Sequence, residues 1–275
     1  MYERLKGLKA EDYEHPGEKL SMAALRKIPL LDLVIGKYMD MSIKMDLAAD
    51  CAGNNFRITP KTNPRIYKLY QLALERLDME KEYPLYCELG YDYNAFAAGA
   101  RENFIVIRSS CVSDYSDGEM LQLLGHEIGH IKSGHVLYHS IAHSLNGILA
   151  SFGGMAQSAA VGLQYAIMDW SRKAEYTADR AGLIASADYD ATMSQTMKLL
   201  GHSDHISCID FSIDEVLKQA EDFEMETSDL IGKLLYANFT LMATHPWSIL
   251  RLKQLYEWKK SGEYDAVVRA HSGYR

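Results

Sequence analysis

Apolar residues along this 275-residue chain recur at two spacings, and the change between them predicts its elements. Residues 17–47 carry a mostly helical pattern that breaks at Pro29. The run Phe56-Arg57-Ile58-Thr59 predicts a short strand. Between 63 and 77, Ile66, Leu69, Tyr70, Leu72 and Leu77 return to the three-and-four spacing of an amphipathic helix. Residues 85–89 and 103–108 then read as strands, the second built on the β-branched run Phe104-Ile105-Val106-Ile107. Ser116-Asp117-Gly118-Glu119 is a capping box that predicts a helix start, and Leu121, Leu124, Ile128 and Ile131 follow as one apolar stripe over a helix of about 117–132. Nearly everything beyond is helical in pattern. Helices, a small sheet, one pivotal helix and more helices predict an α+β fold with a helical majority. The expected organisation is a single domain over 1–275 that includes an N-terminal helical segment at about 1–50.

One stretch changes that picture. Residues 136–168 contain no Asp, Glu, Lys or Arg. They do contain His139, His143, Asn146, Gln157 and Gln164, and no run of about 20 predominantly apolar residues survives. A buried helical hairpin over about 136–168, broken at Gly153-Gly154, is the expectation, with peripheral contact to a membrane surface left open. The formal net charge of −8 argues against non-specific nucleic-acid binding. The start, Met-Tyr-Glu-Arg-Leu-Lys, has no apolar signal core, and Cys51, Cys87, Cys111 and Cys208 form no CxxC. Both features predict a cytoplasmic chain with reduced thiols. Nothing in the sequence fixes an oligomeric state.

The candidate chemistry lies in the helix at 117–132. His126-Glu127-Ile128-Gly129-His130 reads HExxH. One helical turn places both imidazoles on the same side, where they can share one metal ion at about 2.0–2.1 Å each. Glu127, beside them, is placed to act as a base toward water. Because the histidines point away from the apolar stripe, the helix is expected to bury one face and offer the other to a cleft. A catalytic zinc needs a third protein ligand. The HExxHxxGxxH arrangement fails here, because Gly134 and His135 each fall one residue out of register and Val136 stands at the histidine position. His135 is left as an outer partner, a helix-end residue or an exposed one. Glu175 on a later helix is the better candidate. It lies one turn from Asp179, a like-charge pair that repels by a few tenths of a kcal/mol, and more if buried among Ala174, Ala178 and Ala181. A dication would relieve that repulsion, with Glu175 as ligand and Asp179 accepting a hydrogen bond from a ligand histidine. The competing picture is a surface helix whose Arg172, Lys173 and Arg180 neutralise both acids. The upstream HExxH favours the ligand assignment.

Further segments fit the same pattern: His15-Pro16-Gly17-Glu18, residues 94–99 (Asn-Ala-Phe-Ala-Ala-Gly), Trp170 to Glu175, Ala178-Asp179-Arg180-Ala181-Gly182, and Thr244-His245-Pro246 followed by Arg251. With these the chain resembles the HtpX and CAAX-prenyl-protease type 1 family of zinc peptidases, in particular its soluble bacterial members, over most of its length. The resemblance implies a zincin-like (gluzincin) fold with a small sheet over the active-site helix. It implies one zinc per chain on His126, His130 and Glu175, with Glu127 as general base. Family members often carry membrane helices near the active site; this chain lacks clear ones.

The resemblance also assigns the region of His245 to the active site, where a histidine can stabilise an oxyanion. The alternative is that His245 caps the helix that Pro246 would open, and that Arg251 makes a structural salt bridge. Within residues 94–108 an edge strand facing the cleft would bind an extended peptide through Asn94, Ala95, Phe96 and Ala97, with Arg251 as a further substrate contact. The expected function is a zinc-dependent endopeptidase acting on protein or peptide substrates. The alternative is a latent or non-catalytic zinc-binding protein working as a chaperone-like factor or binding module.

Overall fold

In the computed structural model, which describes residues 4–28, 30–44, 47–99, 102–150, 157–202, 212–229, 232 and 245–273, the N-terminal segment folds as α1 (Pro16–Leu25), α2 (Leu30–Lys44) and α3 (Leu47–Asn54). Pro16 opens α1, where its missing N–H costs nothing, and the His15 ring accepts the Gly17 N–H as a cap. The helical pattern breaks where expected, although Pro29 itself lies outside the described residues.

Four strands follow around a helix: β1 (Phe56–Arg57), α4 (Pro64–Arg76), β2 (Leu85–Glu88), β3 (Ala95–Ala98) and β4 (Phe104–Arg108). Asn63 caps α4 by accepting the Ile66 N–H. The sheet order is β1-β2-β4-β3, with β2 and β4 parallel and the outer pairs antiparallel. The stretch at 94–108 is therefore two strands. β3 is the edge, and β4 with its β-branched run is interior, as its burial on both faces requires.

After α5 (Ser109–Asp114) comes α6 (Asp117–Lys132), whose N-terminus carries the predicted reciprocal capping box between Ser116 and Glu119. The helix buries its apolar stripe and turns Leu123, His126, Glu127 and His130 toward a cavity, as expected, although little of either face is exposed. Every residue from Glu119 to Ile131 is buried. The apolar stripe packs into the main core, and a further side, at Gly125 and Gly129, is taken by α8 (Gln157–Ser186). Small residues allow that second contact. A Cβ on Gly125 would stand 2.3 Å from the Ala185 Cβ, and one on Gly129 would stand 2.5 Å from the Ala181 Cβ. Helix propensity alone would make Gly129→Ala stabilising by about 1 kcal/mol. Forcing apart two packed helices costs about 1–3 kcal/mol. The clash should win, so Gly129→Ala should melt below wild type, and a higher melting temperature would refute the seam.

Helix α7 (Val136–Ala150) packs against α8, which does not stop near 168, and residues 151–156 between them lie outside the described residues. Helix α8 runs on unbroken to Ser186. Gly153 and Gly154 lie outside the described residues. The uncharged stretch is explained by packing: Ile141, Leu145, Leu163 and Ile167 meet Leu25, Leu31 and Val34 of α1 and α2 in a second core. Among the described residues no helix is long and apolar enough to cross a membrane. Helices α9 (Tyr189–Lys198), α10 (Ile213–Glu226), α11 (Ser248–Lys260) and α12 (Glu263–His271) complete a predominantly helical α+β fold. Cys51, Cys87 and Cys111 are free thiols, and Cys208 lies outside the described residues.

Candidate metal centre

Helix α6 presents His126 and His130 one turn apart, and the close α6–α8 crossing brings Glu175 against both. Their Nε2 atoms are 3.1 Å apart. Glu175 Oε2 lies 3.4 Å from His126 Nε2 and Oε1 lies 3.4 Å from His130 Nε2. Donors about 2.0–2.1 Å from one tetrahedral ion stand roughly 3.3 Å from each other, so this trio has the spacing and the chemistry of a His₂Glu metal site.

The electrostatics ask for a cation at the same point. Burial works against charge on His126, but Asp179 and Glu175 hold its pKa up to about 10. Burial takes His130 down to about 4. Burial also opposes charge on Glu175, yet the surrounding histidines, His245 first, keep its carboxyl well below the usual range. In the metal-free protein one proton on His126 thus does part of the work a dication would do.

Asp179 Oδ1 is 2.9 Å from His126 Nδ1. Arg251, buried on α11, grips the same carboxylate with two hydrogen bonds, Nε to Oδ2 at 2.8 Å and Nη2 to Oδ1 at 2.6 Å. The cations of the surface-helix picture are engaged elsewhere. Lys173 and Arg172 pair with Asp169, and Arg180 reaches the carbonyls of Tyr13 and Glu14.

Glu127 is 3% exposed, and burial pushes its pKa up to about 7. The Ala97 backbone N–H of β3 reaches its carboxylate, while Oε2 has no hydrogen-bond partner. The edge strand thus lies over α6. A cavity of about 570 Å³ opens beside Glu127, and Asn94, Ala95, Phe96, Ala97, His245 and Arg251 all border it. That volume suits several residues of a peptide. His245 is half-exposed, with Nε2 3.7 Å from Glu175 Oε1. It is not a helix cap: α11 begins at Ser248 with Trp247 at its N-cap, and Pro246 lies before the helix.

Two further groups belong to the site. His135 is buried, not exposed, with its Nδ1 3.0 Å from His130 Nδ1 and its Nε2 2.8 Å from Glu18 Oε1. Burial opposes charge on Glu18, but His135 and Thr177 hold its carboxyl below the ordinary range. His139 and His143 line the cavity one and two turns further along α7. The spacing of His135, His139 and His143 in a stretch without charges was the available sequence signal. Glu18 had none beyond its membership of the His15-Pro16-Gly17-Glu18 segment.

The model of peptidase family M48 matches residues 60–259. The plastoglobule-localized metallopeptidase 48, chloroplastic, of Arabidopsis thaliana is 27% identical over 266 residues, which is 96% of this chain and 77% of that protein. No solved structure matches.

Proposed function

The chain belongs to peptidase family M48, and from that premise we propose a zinc-dependent endopeptidase with one zinc per chain held by His126, His130 and Glu175. The observation that carries this reading is the convergence of those three donors beside a buried, unsatisfied Glu127 at the wall of a cavity. When bound, zinc supplies Lewis acidity toward a scissile carbonyl and lowers the pKa of water toward about 7.

The chain's own residues do the rest. Glu127, with a pKa near neutrality, takes a proton from the attacking water and returns it to the leaving amine. Asp179 accepts the His126 Nδ1 proton, which leaves Nε2 free to ligate, and Arg251 holds Asp179 still. Arg251 borders the cavity: Asp179 engages its Nε and Nη2, and Nη1, 3.8 Å from Glu175 Oε2, remains for a further substrate contact. His245 steadies the developing oxyanion. The free edge of β3 receives an extended protein or peptide substrate by main-chain hydrogen bonds, with Asn94, Ala95, Phe96 and Ala97 as the upper wall. The working location is the cytoplasm. The plastoglobule in the relative's name supports peripheral contact with a lipid surface.

Zinc content measured beside casein hydrolysis, with and without chelator, tests the reading. About one zinc per chain and chelator-sensitive hydrolysis are expected; a metal-free, inactive protein would overturn it. A second reading rests on Tyr38, Asp50, Cys51 and Asn55, which bring α2 and α3 to the same cavity. Such walls suit a latent enzyme, and hydrolysis that appears only after limited cleavage would select that version.

The raised pKa of His126 gives a pH dependence. Zinc must displace the His126 proton, so apparent zinc affinity should rise about tenfold per pH unit between about 7 and 9. In the metal-free state the sign is opposite. The folded chain keeps a proton that the unfolded chain releases above about 6.5, so stability from this group falls as pH climbs from there toward about 10. Chelator competition and melting curves across that range read both effects. A pH-independent zinc affinity would contradict the assignment.

A further inference from the structure

We infer that Glu18 and His135 are positioning residues for His130, joined in a directed polar relay from the N-terminal helix α1 to the metal centre. The inference rests on the zinc-site reading above and extends it to residues that lie outside the family match at 60–259 or carry no role in the mechanism.

The two histidines of α6 are supported differently. His126 meets a carboxylate directly. His130 meets another imidazole, Nδ1 to Nδ1 at 3.0 Å. Only one proton fits between those two nitrogens. His130 Nε2 faces His126 and Glu175, and as a ligand it must be bare. A neutral imidazole then carries its proton on Nδ1, so His130 donates and His135 accepts. The proton of His135 is left on Nε2, which stands 2.8 Å from Glu18 Oε1 in an ion-pair contact whose angle does not make a hydrogen bond. Glu18 Oε2 accepts the Thr177 hydroxyl, and Thr177 Oγ1 accepts the His15 backbone N–H at 2.9 Å.

The reverse direction fails at both ends. A proton donated by His135 Nδ1 would force the His130 proton onto Nε2, where the ion belongs. It would also set a bare His135 Nε2 lone pair against the Glu18 carboxylate. One direction alone leaves His130 Nε2 bare and turns an N–H rather than a lone pair toward Glu18, and all three supporting residues are buried: Glu18 at 4%, His135 at 1% and Thr177 at 0% exposure.

Local structure builds the relay. Gly134 takes φ +73° at the end of α6, which turns the chain back so that the His135 N–H bonds the His130 carbonyl at 2.9 Å. That fold-back places the ring of His135 beside that of His130. Thr177 stands on α8 two residues beyond Glu175, so the same helix carries a ligand candidate and the partner of Glu18.

The test has two parts. Nitrogen-15 NMR of histidine-labelled, zinc-loaded wild type reads the tautomers without any variant. The relay requires His130 protonated at Nδ1 and His135 at Nε2; a His135 protonated at Nδ1 overturns it. Zinc dissociation constants by chelator competition are then compared for wild type, Glu18→Gln, His135→Phe and the double variant. Each single variant should bind zinc about 10–100-fold more weakly. The double variant should be no worse than the poorer single, because both cut one chain in series, and the metal-free melting temperature of Glu18→Gln should stay near wild type. Wild-type affinity in both folded single variants overturns the relay, as do additive losses. Two zinc ions in wild type, one of them lost in His135→Phe, also overturn it and give His130, His135 and His139 an ion of their own. Wild type without any zinc would instead remove the metal-site reading itself.

Discussion

Glu127→Gln is expected to keep its zinc and lose hydrolysis, with kcat falling roughly 10²–10⁴-fold, the range that a positioned general base contributes. The substitution changes one oxygen to an amide nitrogen and leaves volume and shape in place, so the helix should keep its packing. Glu127 is not among the three converging donors, which is why metal content should hold. What disappears is a carboxylate whose pKa is pushed up to about 7 by burial, and with it the group that accepts and returns the proton. Elemental analysis and peptide turnover on the same preparation separate the two properties. Turnover within tenfold of wild type would remove Glu127 as the base.

Glu175→Ala should do the reverse and empty the site. Two imidazoles 3.1 Å apart remain, but the donor that lies 3.4 Å from each is gone. Zinc should drop from about one per chain to near none after dialysis. The rise in melting temperature that zinc gives wild type, a direct consequence of binding the folded state alone, should vanish. The loss must exceed that of Asp179→Asn, which disturbs only the orientation of His126 and should cost about 10–100-fold in affinity. A Glu175→Ala protein that still carries stoichiometric zinc would mean that the third ligand is another residue.

Local signals explain what the sequence disclosed. The capping box at Ser116, the i,i+4 pair at His126 and His130, and the Glu175–Asp179 pair each lie within one or two helical turns, where spacing dictates geometry. Long-range packing escaped. The apolar stripe and the cleft face of α6 are legible in its periodicity, but its third side is not: Gly125 and Gly129 carry no hydrophobic weight, yet their missing side chains are what admits α8. His135 fails the ligand register, and the choice among outer partner, helix end and exposed position is made by a left-handed Gly134 that folds it onto His130. Glu18 is separated from Thr177 by 159 residues, and no periodicity reports such a contact. The start of α11 was misplaced because a proline that suits a first helical turn also suits the extended backbone before one.

The glycine and alanine seam between α6 and α8 also bears on redesign. Where main chain meets main chain, the spacing of the two helices that carry the histidines and Glu175 depends on no side-chain rotamer at the seam. Tyr38, Cys51, Phe96 and His143 border the cavity from α2, α3, β3 and α7 instead. Specificity and metal retention therefore occupy different parts of the frame. A library randomised at those four positions should return mostly zinc-loaded proteins with altered peptide preference, whereas one randomised at Gly125, Gly129 and Gly182 should return few that hold the ion at all.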